Sequence, residues 1–143
     1  MESAADCASL EKPTVIVVDD DPAVLKSLKF SLELEGFSVR TYADAAELLN
    51  EAELPSFGCL IIDYNLPALN GLEVLRRLRN GQVRLPAIMI TSYPSKKLRE
   101  SAAAAGIPIV EKPISVIGED LDIRQHAGDA LQEKQQRPAI GRF

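Results

Sequence analysis

The stretch GCLIIDYNLPALNG, residues 58–71, decides how the rest of the chain is read. Cys59-Leu60-Ile61-Ile62 is a short apolar run of the kind that forms a strand buried on both faces. It ends in one carboxylate, Asp63, and then in turn residues: Asn65, Pro67, Asn70 and Gly71. An open α/β sheet places its ligands beyond the C-terminal ends of its strands, so an acid at that spot is placed for chemistry. The competing reading is that Asp63 merely caps a turn. The other strand ends decide between the two.

Upstream, Thr14-Val15-Ile16-Val17-Val18 reads as a β-branched buried strand and runs into Asp19, Asp20 and Asp21. Pro22 suits the first turn of a helix capped by Asp21. Val24, Leu25, Leu28 and Leu32 form its apolar stripe, and Gly36 ends it. Phe30 and Leu34 fall on nearly the opposite side, where neighbouring loops cover them or a partner meets them. Residues 38–42 read as a second strand and 43–52 as a short helix carrying Leu48 and Leu49. Downstream of Asp63, a helix over 72–80 turns Leu72, Leu75 and Leu78 inward. Arg76, Arg77 and Arg79, with Arg84, read as a solvated face. A fourth strand is predicted over 86–91, an alanine-rich helix over 95–105, and a short fifth strand over 107–110. Pro108 restricts that strand to a beginning or a sheet edge. A last helix around 119–136 is weakly patterned. Residues 1–12 read as a flexible leader and 137–143 as a frayed tail.

Strand and helix alternating five times is the pattern of a doubly wound parallel sheet, here one domain over 13–136. At 143 residues and 46% hydrophobic, the chain can bury one core but not two. A net charge of −5 leaves no global basic field to recruit nucleic acid. Cys7 lies in the polar leader and Cys59 in a buried strand, which argues against a disulfide and for a reducing, cytoplasmic setting. No apolar run approaches the roughly 20 residues that span a membrane.

In such a sheet Asp19, Asp20, Asp63, Thr91 and Lys112 gather at one edge, each ending or following an apolar run. Singly, Lys112 is a solvated lysine beside a turn and Thr91 a strand-end hydroxyl; jointly they make a site. Three carboxylates close together repel, and a divalent cation resolves the conflict. All-oxygen ligands suit Mg²⁺, whereas one histidine, His126, and one buried cysteine do not make a zinc site. A central carboxylate with a metal, an ammonium and a hydroxyl around it fits phosphoryl transfer. The carboxylate is the nucleophile and the cations neutralise the transferring oxygens.

These residues match a family. VVDDDP at 17–22, DYNLPALNG at 63–71, ITS at 90–92 and VEKPI at 110–114 resemble the receiver (CheY-like) domain of two-component response regulators, closest in look to FixJ-like receivers. The likeness covers about 13–114. It implies a flavodoxin-like sheet in the order 2-1-3-4-5 with helices on both faces. It also implies that Asp63 is the phosphoacceptor, and that Asp20, the Asp63 carboxylate and the Asn65 main-chain carbonyl hold Mg²⁺, with Asp19 assisting through water. Thr91 would be the switch hydroxyl and Lys112 the phosphate-binding lysine, followed by a cis peptide to Pro113. Ser92, Tyr93, Ile109 and Pro113 would form the switch region. The phosphodonor would be a histidine kinase, a phosphotransfer protein or a small acyl phosphate. The output would be a changed affinity for a protein target, with a homodimer among the partners allowed and no direct contact to nucleic acid or membrane. Such a domain is not an enzyme beyond its own phosphorylation and dephosphorylation.

Three features depart from the family pattern. Ile109 stands where a switch Phe or Tyr is usual, Gly106 lies one residue nearer Lys112 than usual, and the last helix is weak. Tyr93 offers an aromatic substitute only from an exposed loop. Two other functions compete with the phosphoswitch. One is a docking module that keeps the shape without switching. The other is a haloacid-dehalogenase-like phosphatase using Asp19-Asp20-Asp21 as a D-x-D motif, in which Asp63 has no role.

Overall fold

The computed structural model describes residues 13–51 and 53–112. The leader, Cys7, Pro113, His126, the last helix and the tail lie outside them. Five strands and four helices alternate: β1 (Thr14–Val18), α1 (Pro22–Leu34), β2 (Ser38–Tyr42), α2 (Ala45–Leu49), β3 (Gly58–Asp63), α3 (Gly71–Asn80), β4 (Ala87–Thr91), α4 (Lys96–Ala105) and β5 (Ile109–Glu111). The strands form one parallel sheet in the order β2-β1-β3-β4-β5, as the resemblance implied. β3 sits at its centre and every residue of β3 is buried.

Alternate residues of each strand serve opposite faces. Ile16, Val18, Leu60, Ile62 and Met89 join α2 and α3 side chains (Ala45, Leu48, Val74, Leu75, Leu78) in one cluster. Val15, Val17, Cys59, Ile61, Ile88 and Ile90 join Leu28 and Leu32 of α1 in the other. Each such aliphatic side chain, once buried, contributes about 1.5–3 kcal/mol. Burial also pushes the Cys59 thiol up to about 12, so it is an inert core group.

Side-chain caps set where the helices begin. Asp21 Oδ1 accepts the Ala23 N–H at 2.9 Å. Asp44 Oδ1 accepts the Glu47 N–H, and Glu47 reaches back to the Ala43 N–H. That reciprocal pair starts α2 at Ala45, and the helix runs Ala45–Leu49, against the predicted 43–52. The fifth strand also differs from 107–110. Ile107 N–H is tied to Ala102 O of α4, and Pro108 has no N–H to donate, so its carbonyl takes the Met89 N–H and the strand begins after it.

Two surface expectations need correction. Phe30 and Leu34 are not covered by loops: they are 62% and 72% exposed. Arg76 and Arg77 are solvated, but Arg79 is half-buried and donates to Val83 O and Leu85 O, bracing the α3–β4 loop.

That loop contains the one non-glycine residue with positive φ among the described residues, Gln82 at 73°. Val83 N–H bonds to Leu78 O, and Gly81 N–H to Arg77 O and Leu78 O. This is a helix stop that favours glycine at the left-handed position, one residue after the glycine the sequence supplies. Gln82→Gly is expected to stabilise the protein by about 0.5–1 kcal/mol, read as a higher urea midpoint at unchanged slope. A lower midpoint would contradict this account of the loop.

Candidate functional site: an acidic cluster at the strand ends

The parallel register brings the ends of β1, β3 and β4 side by side, with Val18 opposite Ile62 and Asp63 opposite Ile90. The next turns then hold the functional side chains in place. Asp19 Oδ1 accepts the Asp21 N–H at 2.8 Å, and Asp63 Oδ1 accepts the Asn65 N–H at 3.0 Å. Lys112 N–H bonds to Thr91 O at 2.7 Å, which anchors the lysine backbone on β4. Asn70 caps α3 through Glu73 N–H, and Gly71 N–H bonds to Tyr64 O. Gly71 lies so close to β3 that a Cβ there would stand 2.8 Å from Asp63 O and 2.5 Å from Met89 Sδ. The glycine lets the helix start against the acidic strand end.

Asp19 and Thr91 are fully buried, Asp63 is nearly so, and Asp20 is exposed. Carboxylate oxygens of Asp19, Asp20 and Asp63 all lie within 4.8 Å of one another. Lys112 Nζ stands 2.8 Å from Asp19 Oδ2 and 3.4 Å from Asp63 Oδ2, bridging the two acids. Burial raises the Asp19 carboxyl above its ordinary range, with Asp63 adding to the rise and the Lys112 ammonium and Asp21 N–H opposing it. For Lys112, burial works to lower the ammonium, but Asp19 and Asp63 together outweigh it and raise it.

Asp19 Oδ2 meets that ammonium yet accepts no well-aligned hydrogen bond. A buried carboxylate oxygen left in this way, beside two further carboxylates, fits a hard divalent cation with oxygen ligands. Receiver domains bind Mg²⁺ at an acidic cluster of this kind.

Of the residues the sequence singled out, Asp19, Asp20, Asp63, Thr91 and Lys112 come together. Asn65 joins them in an additional way: its side-chain Nδ2 donates to Thr91 Oγ1 at 3.0 Å. The family resemblance implies a role only for the Asn65 carbonyl, because nothing in a pattern shows where an exposed amide points. Of the switch-region residues, Ser92 and Ile109 are half-buried, Ile109 against the α2–α3 face, while Tyr93 is 89% exposed. Asp21 is spent on capping α1, which leaves a D-x-D pair without its second acid in the site.

Residues 15–122 match the response regulator receiver domain, and the chain belongs to that family. It is a CheY-like receiver of the two-component kind, homologous to FixJ. The transcriptional regulatory protein FixJ of Bradyrhizobium diazoefficiens is 35% identical over 103 residues, covering 71% of this chain and 50% of FixJ. The phosphate regulon transcriptional regulatory protein PhoB of Rhizobium meliloti is 39% identical over 108 residues, covering 72% of this chain and 47% of PhoB. The chain spans about half the length of these curated relatives. Among solved structures, FixJ-N aligns with a TM-score of 0.73 at 31% identity, covering 85% of this chain and 95% of FixJ-N. A CheY-like receiver from Methanospirillum hungatei aligns at 0.77 and 29% identity, covering 89% and 99%. Phosphorylation on an aspartate is characteristic of the family. No helix among the described residues is long and apolar enough to cross a membrane.

Proposed function

We propose that this receiver is a phosphorylation-dependent switch whose phosphoacceptor is Asp63. The observation that carries the reading is the Lys112 ammonium set between Asp19 and Asp63 at one strand edge, with the Lys112 backbone bonded to Thr91. An Asp63 carboxylate oxygen attacks phosphorus, and the bond from phosphorus to the donor's nitrogen or acyl oxygen breaks in line. Asp19, Asp20, Asp63 and the Asn65 main-chain carbonyl would hold Mg²⁺, which supplies charge neutralisation on the transferring oxygens. Lys112 turns from ion-pairing Asp63 to meeting the new phosphoryl oxygens, and the Thr91 hydroxyl donates to another. Those two movements bias the β4–α4 loop, with Ser92 and Tyr93, and the β5 strand, with Ile109.

The donor is a histidine kinase or phosphotransfer protein, and the output is protein binding in the cytoplasm. The net charge of −5 supports protein contact over direct nucleic-acid binding. The unit is not an enzyme in the sense of turning over phosphate esters, since Asp21 serves α1 and not the site. Ile109, an aliphatic at the switch position, favours one second reading, a docking module that does not switch. Equal partner affinity before and after phosphorylation would select it.

Intact mass after incubation with acetyl phosphate is the direct test. A single phosphoryl adduct is expected with Mg²⁺, and none without Mg²⁺ or in Asp63→Asn. An adduct that persists in Asp63→Asn would move the acceptor elsewhere, and no adduct at all would sink the phosphoswitch.

A further inference from the structure

We propose that the Asn65 carboxamide latches the Thr91 hydroxyl in the unphosphorylated protein and so sets how readily Asp63 is phosphorylated, an inference that rests on the function proposed above.

Asn65 makes two hydrogen bonds at once. Its backbone N–H holds Asp63 Oδ1 at 3.0 Å, and its Nδ2 reaches Thr91 Oγ1 at 3.0 Å. One residue thereby fixes both the acceptor carboxylate and the hydroxyl that would answer it. The two bonded side chains differ in freedom: Asn65 is exposed, whereas Thr91 is fully buried. A β-branched side chain has few χ1 wells, so a Thr91 hydroxyl held by Asn65 is held in one of them.

A phosphoryl oxygen on Asp63 can only accept a hydrogen bond and needs the hydroxyl proton aimed at it. The Asn65 bond occupies a lone pair of Oγ1 and leaves its proton free, so the latch acts through position: swinging Oγ1 about χ1 to meet that oxygen carries it away from Asn65 Nδ2 and gives up the bond. The latch therefore opposes the phosphorylated arrangement by about the net value of one hydrogen bond, an equilibrium factor of about five. Among the described switch-region residues, Ile109 and Tyr93 supply no substitute latch of the same kind. Ile109 has no polar side-chain atom, and Tyr93 is 89% exposed. Asn65 acts here as a positioning residue, through Thr91.

The test is a double-mutant cycle read with beryllofluoride, a phosphoryl mimic, in the presence of Mg²⁺. Asn65→Ala keeps the main-chain carbonyl and N–H and removes only the carboxamide. It is expected to bind the mimic about fivefold more tightly than wild type. In a Thr91→Val background the same substitution is expected to change nothing, because the hydroxyl is already gone. Without the mimic, the Thr91 methyl should report one χ1 rotamer by NMR in wild type and averaged rotamers in Asn65→Ala. Unchanged affinity in Asn65→Ala, or the same change with Val at position 91, overturns the latch. Wild type binding the mimic with a flat cycle overturns the latch alone. No binding by any variant, wild type included, removes the phosphoswitch and the latch together.

Discussion

Gly58→Ala is expected to destabilise the protein by about 4 kcal/mol or more, enough to leave much of it unfolded at 37 °C. A Cβ at Gly58 would stand 1.8 Å from the Thr14 carbonyl oxygen and 2.8 Å from its carbon, both backbone atoms of the adjacent strand. No side chain can rotate away to relieve that contact, so β1 or β3 must shift. β1 pairs with β3 along its whole length, from Thr14 opposite Gly58 to Val18 opposite Ile62, the residue before Asp63. Any shift is therefore transmitted to Asp63. Urea unfolding followed by circular dichroism checks the prediction. A midpoint within a few tenths of a molar of wild type would show that the sheet adapts at this point.

Removing the bridging lysine produces the second large effect. Lys112→Met leaves Asp19, fully buried, and Asp63 without the ammonium that lies 2.8 and 3.4 Å from them. Breaking a buried ion pair from one side costs about 3 kcal/mol at pH 7. The pH dependence has a definite sign. Burial already holds the Asp19 carboxyl above 3.8 in the fold, and loss of the opposing ammonium moves it further up. A carboxyl raised in the folded state binds its proton more tightly there than in the unfolded chain, so acidification favours the fold. The stability deficit of Lys112→Met should therefore shrink as pH falls from 7 towards the raised Asp19 value. Mg²⁺ should reduce it at constant pH, and acetyl phosphate labelling should slow by about 10²-fold. A deficit that grows on acidification, or one indifferent to Mg²⁺, would mean that the two carboxylates are not in conflict.

Much of this was legible in the order of residues. Apolar runs ending in Asp63, Thr91 and the Asp19-Asp20 pair mark three strand ends directly, because strand interiors here are nearly uniform in hydrophobicity and the break is abrupt. What escaped was set by tertiary geometry. β5 starts late because the Ile107 N–H is drawn to Ala102 O at the end of α4 and Pro108 has no N–H to pair, and the first of these depends on how α4 ends rather than on the strand's own pattern. Arg79 sits in the same charged run as Arg76 and Arg77. Its burial depends on a loop turning back over it, which no periodicity in α3 encodes. Arg76 and Arg77 ion-pair with Glu73, whose carboxyl their hydrogen bonds hold down to about 2. Asn65 gave no sign of its side-chain partner, since Thr91 lies 26 residues away and the contact exists only once β3 and β4 are in register.

The three-residue strand β5 pairs only with β4 among the described residues, and Lys112 follows it directly. In mechanical terms this makes the sheet a graded beam. β3 is clamped on both sides, whereas β5 is a short cantilever fastened along one edge. The ammonium tip of Lys112 engages the charge at the stiff centre, and the same residue's backbone is fixed at the compliant rim. A change in force at Asp63 is therefore delivered where the sheet yields most. Amide exchange should be slowest along β3 and fastest along β5, and neutralising Asp63 should alter protection at Val110 and Glu111 more than at Leu60 and Ile61.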